Sequence, residues 1–410
     1  MRIRQVVAAS DRGTRSHNED AVLRLPRTPL FAVADGMGGP GGGDLAAQLV
    51  LETIERHADA IAVANQRVAS TRAPGDRLAL GRLIDEVFNE AGREIQREAT
   101  RLQRPGIGTT VLLCTVSEGH AYIAHVGDSR AYLLRNGALV QLTEDHTVAE
   151  LHVRRGRMTR DQASQSPERR VLYQSLGAGM EVDGDLAEVR LNGGDVLVLC
   201  TDGLPRSLDD DEIMPRIDGN DLETSVQRLV KASRQAGAPD NVTMILMSFE
   251  SEPGDGAADE GVRSAMRGLF LFRGMTDAEL LTIAPYLEEV VFEKDVSVTS
   301  EGDLSDQFCV VVSGSVRVSR GRTTLHDVKP GGHFGELALS RDQERSLTVR
   351  TLSPTRLLVL TRDRFLELVR QKPELGTRIT MALLDTVGQR LGELSERLNA
   401  VERAVRGELR

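Results

Sequence analysis

The stretch LFAVADGMGG, residues 30–39, decides the fold of the first part of the chain. The apolar run Leu30–Ala34 is short enough to be a buried strand, and Asp35 and Gly36 follow where that strand must turn. Three other segments place an acid beside Asn, Gly or Pro at the end of an apolar run: Asn18-Glu19-Asp20, Thr201-Asp202-Gly203 and Pro239-Asp240-Asn241.

These acids, with Asp128 of the segment His125–Arg130, predict a carboxylate cluster if the strand ends meet. Several carboxylates cannot remain ionised together without a counter-cation. Oxygen ligands without clustered Cys or His favour Mg²⁺ or Mn²⁺ over zinc. The alternative is that Asp-Gly pairs are ordinary turn residues.

Composition limits the classes of protein that the chain can be. Its 410 residues predict two or three domains, and 51 basic against 61 acidic residues give a net charge of −10, which argues against nucleic acid as a partner. Three dispersed cysteines suggest neither a disulfide framework nor a zinc site. No apolar run approaches the length of a membrane span and the N-terminus lacks a signal-peptide core, so we expect a cytoplasmic protein without a membrane partner.

Strand and helix signals occur in blocks along the first part, which predicts an α+β fold. Helical periodicity covers Asp44–Ala58, with Asp44 as the expected N-cap, Leu78–Thr100 and Leu222–Gln235. Asn136-Gly137 predicts a hairpin turn.

The acidic stretch Glu250–Gly261 lacks large apolar side chains and predicts a linker over 250–262. After a helix at Asp277–Leu287, short strands separated by glycines predict a barrel or jelly roll. The expected domains are therefore 1–249, 263–370 and a C-terminal helix over 371–410.

The first part resembles the PPM family, the metal-dependent protein serine/threonine phosphatases of type 2C, over about residues 3–249. Seven motifs in sequence order carry this resemblance: Arg15-x-x-Asn18-Glu19-Asp20, Asp35-Gly36-Met37-Gly38-Gly39, Gly108-Thr109-Thr110, Val126-Gly127-Asp128-Ser129-Arg130, Leu142-Thr143-x-x-His146, Thr201-Asp202-Gly203-Leu204 and Asp240-Asn241-Val242-Thr243. The resemblance implies an α-β-β-α sandwich with two or three Mn²⁺ or Mg²⁺ ions.

The resemblance also implies a role for each matching residue. Asp35 would bridge two metals, Asp202 and Asp240 would complete one of them, and the Gly36 carbonyl would bind the other. The remaining matches are Glu19 and Asp20 for metal-bound waters, Asp128 for a third metal and Arg15 for the substrate phosphate. The nucleophile would be the metal-bridging water, so no phosphoenzyme is expected.

One position departs from the eukaryotic relatives, which carry a proposed general-acid histidine two residues after the bridging aspartate. Here that residue is Met37, which cannot donate a proton. We interpret His125 and His146 as structural, which leaves the general acid open. The stretch Glu150–Leu176 matches the family's flap, and we expect it to be mobile and to influence substrate choice.

The second part resembles the cyclic nucleotide-binding domains, as in the catabolite activator protein, over about residues 265–370. The matching cassette is Phe334-Gly335-Glu336-Leu337-Ala338-Leu339 followed by Glu344-Arg345-Ser346. The resemblance implies a β-roll in which Gly335, Leu337, Arg345 and Ser346 surround the cyclic phosphate of cAMP or cGMP, and Glu336 binds the ribose. The alternative is a degenerate domain without a ligand.

Apolar residues recur at steps of three and four near the C-terminus, which predicts a dimerisation helix. They are Leu384, Val387, Leu391, Leu394, Leu398, Val401 and Val405. The alternative is a helix that packs on its own β-roll.

Together these patterns predict a bacterial phosphatase that acts on phosphoserine and phosphothreonine and is regulated by a cyclic nucleotide. Its partners would be phosphoproteins, with a serine/threonine kinase or that kinase's targets among the candidates. A non-catalytic nucleotide-sensing scaffold and a constitutive phosphatase with a dimerisation appendage are the alternatives.

Overall fold

The computed structural model describes residues 1–38, 42–71, 74–135, 137–179, 181–250, 266–339, 343–385, 388 and 392. The chain forms two compact units, Met1–Gly256 and Ala257–Arg410. The predicted linker 250–262 lies outside the described residues beyond Glu250, so its boundaries stay a prediction. No helix in the described ranges has both the length and the apolar character needed to cross a bilayer.

The first unit contains two antiparallel sheets between helices. One sheet has the order β1-β11-β10-β7-β8, and the other has β2-β3-β5-β6-β9 with β4 beside β3. Its strands are β1 (Arg2–Asp11), β2 (Asp20–Leu25), β3 (Leu30–Met37), β4 (Gly108–Thr109), β5 (Val111–Ser117), β6 (His120–Val126), β7 (Arg130–Arg135), β8 (Ala138–Gln141), β9 (Asp185–Arg190), β10 (Val196–Cys200) and β11 (Val242–Glu250). Its helices are α1 (Gly43–Arg56), α2 (Ala58–Thr71), α3 (Pro74–Arg101), α4 (Val148–Arg154), α5 (Arg160–Gln165), α6 (Gly203–Ser207), α7 (Asp210–Ile213) and α8 (Leu222–Gln235).

Side-chain alternation along the central strands explains why the unit has four layers. In β3, Phe31 and Val33 enter the core between the sheets, whereas Leu30, Ala32 and Ala34 face the helix side. The side chains of strand β10 alternate in the same way between the core between the sheets and the helix side, because successive side chains of a strand point to opposite faces. The predicted α-β-β-α sandwich is therefore confirmed.

One local prediction is wrong, and two elements were not predicted. Helix α1 begins at Gly43 with Gly42 at its N-cap, so the prediction of Asp44 as N-cap is wrong. A side chain at Gly43 would lie 2.7 Å from the backbone of Gly36, and this close approach fixes where the helix starts. Sequence analysis also missed α2, which has few large apolar side chains, and β9.

The second unit is a β-roll with helices, as predicted. Two four-stranded sheets, β12-β21-β15-β18 and β13-β20-β16-β17, enclose one core, and a second core joins the roll to helical residues before and after it. Its strands are β12 (Glu288–Phe292), β13 (Ser297–Thr299), β14 (Leu304–Ser305), β15 (Gln307–Ser313), β16 (Val316–Arg320), β17 (Thr323–Val328), β18 (His333–Phe334), β19 (Gln343–Glu344), β20 (Thr348–Thr351) and β21 (Thr355–Thr361). Its helices are α9 (Asp277–Ile283) and α10 (Arg362–Gln371).

The ends of this unit differ in part from the predicted helices. Helix α9 ends at Ile283 and continues as a short 3₁₀ turn over Ala284–Tyr286, where Pro285 lacks the N–H of a helical bond. After α10 the backbone is helical again over 373–385, and Ile379 is buried in the core of the β-roll. Leu384 is exposed, and the rest of the predicted heptad pattern lies outside the described residues.

Candidate active site

The predicted acids meet at one end of the two sheets of the first unit. Asp20 and Asp35 are directly opposite each other in the β2–β3 pair, and Asp202 and Asp240 border the neighbouring ends of β10 and β11. Asp35, Asp202 and Asp240 line, with Asp128, a cleft of about 350 Å³, and Asp20 lies close enough to Asp35 to raise its pKa. The cleft is lined by Arg15, Ser16, His17, Glu19, Asp35, Gly36, Met37, Gly38, Thr110, Asp128, Arg170, Leu172, Asp202, Arg206, Asp240 and Asn241.

Backbone contacts that only glycine permits hold the strand ends together. A Cβ on Gly36 would lie 2.0 Å from the Gly43 carbonyl oxygen, and one on Gly203 would lie 1.8 Å from the Asn241 carbonyl oxygen. The second contact fixes Asp202, next to Gly203, beside the segment that carries Asp240. A larger residue at either glycine would separate the acids.

Side-chain hydrogen bonds position the loop that carries Glu19 and Asp20. The Asn241 Oδ1 accepts a hydrogen bond from the Glu19 N–H at 2.9 Å, and Thr201 Oγ1 donates to Asp20 Oδ2 at 2.8 Å. The Asp35 N–H donates to Thr110 Oγ1 at 3.0 Å. Residues from five strand ends therefore contribute to one rigid acidic surface.

Burial and mutual repulsion raise the pKa of several of these carboxyl groups. Burial first, and then the charges of Asp20 and Asp202, hold the pKa of Asp35 well above its usual range. Burial and the charge of Asp128 do the same for Asp202, and the pKa of Asp20 is raised to about 6, mainly by burial. The cluster therefore favours bound cations, which stabilise the ionised carboxylates.

Two buried carboxylate oxygens suit a cation in particular. Asp20 Oδ1 and Asp202 Oδ1 accept no hydrogen bond from any residue that the structure describes. Buried polar atoms are normally satisfied, and a hard divalent cation satisfies oxygen atoms of this kind. The donor set therefore fits Mg²⁺ or Mn²⁺.

Two arginines contact the same acid, Asp240. The Arg15 side chain donates to the Pro239 carbonyl at 3.1 Å and to Asp240 Oδ2 at 2.8 Å, and it is half exposed to the cleft. Arg206 also donates to Asp240 Oδ2, at 2.7 Å. Sequence analysis singled out Arg15 and missed Arg206, since one arginine in a short helix gives no motif signal.

His125 and His146 are both buried, and neither is among the described residues that line the cleft. The His125 Nε2–H donates to the Glu144 carbonyl at 2.8 Å, and the Gly127 N–H donates to His146 Nδ1 at 3.3 Å. The proton of His146 is then on Nε2, which faces Asp185 Oδ2 at 3.5 Å. His125, His146 and Asp185 lie close enough to share a metal ion, and His125 Nδ1 and His146 Nε2 are buried without a hydrogen-bond partner among the described residues. The structural role expected of the two histidines stays a prediction.

The flap segment contributes two cleft residues, Arg170 and Leu172. It contains α4, α5 and a 3₁₀ turn over Pro167–Arg170, and it is tied to the first unit by a bridge between Thr147 and Leu172. The basic cluster Arg154-Arg155-Gly156-Arg157 does not line the cleft as the structure describes it. Among the described arginines of the flap, Arg170 is therefore the one that lines the cleft.

The second predicted site brings together parts of the phosphate cassette. Gly335 has a φ of +86°, and a Cβ there would lie 2.5 Å from Arg345 Nη1. The Arg345 side chain donates to the Gln307 carbonyl at 2.5 Å, and burial lowers its pKa. Glu336 begins a 3₁₀ turn, and Leu337 and Ser346 are exposed.

The first unit is thus a four-layer sandwich whose cleft holds a cluster of carboxylates beside two arginines. Residues 8–247 match the family model of protein phosphatase 2C, and residues 289–372 match that of the cyclic nucleotide-binding domain. The chain belongs to the protein phosphatase 2C family.

Curated relatives and solved structures agree with that assignment. The chain is 34% identical to the serine/threonine protein phosphatase PstP of Mycobacterium tuberculosis over 241 residues, 58% of this chain and 44% of that protein. It is 30% identical to the serine/threonine phosphatase stp of Listeria monocytogenes over 243 residues, 58% of this chain and 93% of that protein. The solved catalytic domain of PstP in complex with two manganese ions superposes with a TM-score of 0.50 at 30% identity, covering 61% of this chain and 99% of that one. The chain thus spans less than half the length of the mycobacterial relative.

The buried histidine pair predicts a loss of stability in acid. Burial lowers the pKa of His125 from 6.5 to about 4. Below pH 6.5 His125 binds a proton in the unfolded state but not in the folded state, so stability is lost as the pH falls from 6.5 to 4. For metal-free protein we expect His125 to contribute roughly 2 kcal/mol of the loss in unfolding free energy between pH 7 and pH 5, measured in urea.

The variant His125→Asn should lose less stability over the same pH interval, whereas His326→Asn, at an exposed position, should behave like the wild type. Equal losses in the wild type and His125→Asn would contradict the prediction.

Proposed function

We propose that this chain hydrolyses phosphoserine and phosphothreonine on proteins, with two divalent cations, Mn²⁺ or Mg²⁺, in the acidic cleft. The activity would be regulated by a cyclic nucleotide, cAMP or cGMP, bound to the second unit. The observation that carries the phosphatase proposal is the convergence of Asp35, Asp128, Asp202 and Asp240 on one cleft, with Asp20 opposite Asp35 and Arg15 at the cleft's edge.

The carboxylates of Asp35, Asp202 and Asp240 and the carbonyl of Gly36 are the groups proposed to hold the cations. Two such ions would supply an activated water and neutralise the oxygens of a phosphoryl group. Glu19 and Asp20, with pKa values raised mainly by burial, would orient water around the ions. The glycine contacts at Gly36 and Gly203 keep these ligands in place before the ions arrive.

Arg15 is proposed to bind the substrate phosphate. Its guanidinium is half exposed, and its planar fork matches the oxygens of a phosphoryl dianion. The carboxylate that it now contacts, Asp240, is a proposed cation ligand. When the cation compensates Asp240, the Arg15 guanidinium is able to turn its donors to the substrate.

The leaving serine or threonine alkoxide needs a proton, and Met37 has none to give. Among the described residues that line the cleft, His17 carries an imidazole, and its Nδ1 lies 2.9 Å from Ser16 Oγ. His17 is thus a candidate proton donor that sequence analysis passed over. Arg170 of the flap adds a positive charge to the same cleft, suited to a phosphorylated substrate.

Replacing Asp35 by Asn should abolish hydrolysis of a phosphothreonine peptide. The amide keeps the shape but removes the central negative charge, and we expect kcat/KM to fall about 100-fold or more, which is about 2.7 kcal/mol of transition-state stabilisation. The measurement is phosphate release in the presence of Mn²⁺ and, separately, after chelation.

The matched control is Asp59→Asn, the same chemical change at an exposed position on α2. A wild-type protein without Mn²⁺-dependent activity would favour the non-catalytic scaffold. Activity retained in Asp35→Asn would refute the proposed cation centre.

The second unit is proposed to bind the cyclic phosphate through Arg345, with Gly335, Leu337 and Ser346 around it and Glu336 at the ribose. Support comes from the family-model match and from the approach of Arg345 to Gly335, whose missing side chain leaves the Arg345 guanidinium room beside the turn. A bound phosphate would compensate a partly buried positive charge.

Calorimetric titration of the full chain with cAMP and with cGMP tests this site. We expect Arg345→Ala to weaken binding roughly 10- to 100-fold, because a charge-assisted hydrogen bond to phosphate is lost. The control is Arg317→Ala, which removes an exposed arginine paired with Asp327 on the neighbouring strand. Absence of binding by the wild type would indicate a degenerate domain.

Regulation is tested by phosphatase kinetics at fixed Mn²⁺, with and without saturating cyclic nucleotide. We expect a changed kcat or KM with the cyclic form and no change with AMP or GMP, because coupling requires a ligand that distinguishes two states. In Arg345→Ala the same concentration should leave that variant's own rate unaltered. Identical wild-type kinetics with and without nucleotide would indicate a constitutive phosphatase.

A phosphoprotein substrate follows from the proposed activity, and a kinase or its targets remain candidate partners. A homodimer through the C-terminal helix and a cytoplasmic location stay predictions. Sedimentation showing a monomer at micromolar concentration, with and without nucleotide, would refute the dimer.

A further inference from the structure

Arg206 lies one helical turn after Asp202 and returns its side chain to the acids. The Arg206 N–H donates to the Asp202 carbonyl at 2.9 Å in α6, which places both side chains on the same face. The guanidinium forms an ion pair with the Asp202 carboxylate, and its Nη1 lies 2.7 Å from Asp240 Oδ2.

The same guanidinium also faces Asp128. Arg206 Nη2, the atom paired with Asp202, lies 3.8 Å from Asp128 Oδ2. Asp128 and Asp202 are both buried, and the Arg206 side chain is 27% exposed. A fixed positive charge therefore stands between the carboxylate expected to bind a third metal and a neighbouring metal-site carboxylate.

The location of this charge conflicts with a cation at Asp128. Divalent cations need oxygen ligands at about 2.0–2.6 Å, and a guanidinium in contact with Asp202 takes the space on the side that faces Asp128. A guanidinium, unlike a metal ion, cannot be lost to a chelator. Asp128 then serves as a partner of arginine.

We propose that Arg206 is the built-in cation of the position between Asp128 and Asp202, so that the cleft binds two divalent ions rather than three. This inference rests on the proposed cation centre.

The test is the number of Mn²⁺ ions bound per full-length chain, measured by equilibrium dialysis. The wild type should bind two ions, and Asp128→Asn should also bind two. Arg206→Gln, which is neutral and similar in length, should bind three, and Asp128→Asn added to it should return the number to two. Arg206→Lys, which keeps the charge, is the matched control and should bind two.

The melting temperature in excess chelator gives a second readout. Arg206→Gln should melt below both the wild type and Arg206→Lys, because its acids lose their internal counter-charge. Mn²⁺ should remove this difference in melting temperature. If Arg206→Gln does not fold, the comparison of the wild type with Asp128→Asn still decides whether Asp128 holds a divalent ion.

Three results would overturn the inference. They are a wild type that binds three ions, a loss of one ion in Asp128→Asn, or no gain of an ion in a folded Arg206→Gln. A wild type that binds no Mn²⁺ at all would refute the cation centre itself, and with it the proposed function. Two ions in every variant would refute only the role of Arg206.

Discussion

Mutual repulsion between buried carboxylates is the constraint on which the first unit depends. Asp20, Asp35 and Asp202 have pKa values raised first by burial and then by neighbouring carboxylates, so the folded chain brings together charges that would separate if they were free to move. Two packed sheets oppose that separation, because the acids lie at strand ends whose registers are fixed by apolar side chains on both faces. The hydrophobic core thereby maintains a site whose carboxylates are suited to cations.

The packing of backbone on backbone completes this design. Gly36 and Gly203 lie next to Asp35 and Asp202, and each touches a carbonyl of a different segment more closely than any side chain would allow. The Asp-Gly pairs that resemble simple turn residues are therefore contact points between segments. Packing constrains the glycine of each pair, and the carboxylate of the aspartate faces the cleft.

How much was predictable from the sequence follows from the kind of interaction involved. Strand alternation and strand-end acids are local patterns, so an α+β fold and the candidate acids were predictable from the residues, whereas the two-sheet sandwich was predicted from the family resemblance. The start of α1 was not, because it depends on Gly43 meeting Gly36, a contact between distant backbone segments. Arg206 was missed for a similar reason, because its role depends on ion pairs with Asp128 and Asp240, which are far away in the sequence.

Arginine has opposite electrostatic roles in the two units. Burial alone would lower the pKa of Arg206, but Asp202, Asp128 and Asp240 outweigh it and raise that pKa, so this guanidinium is already compensated inside the protein. Burial lowers the pKa of Arg345, and the charges near it do not reverse the shift. A phosphate anion bound there would offset the cost of desolvating the guanidinium, which makes the affinity depend on how deeply the cassette buries Arg345. For the proposed nucleotide, a movement of the cassette that changes this burial would change the affinity, and by linkage the bound nucleotide would favour the state in which Arg345 is best compensated.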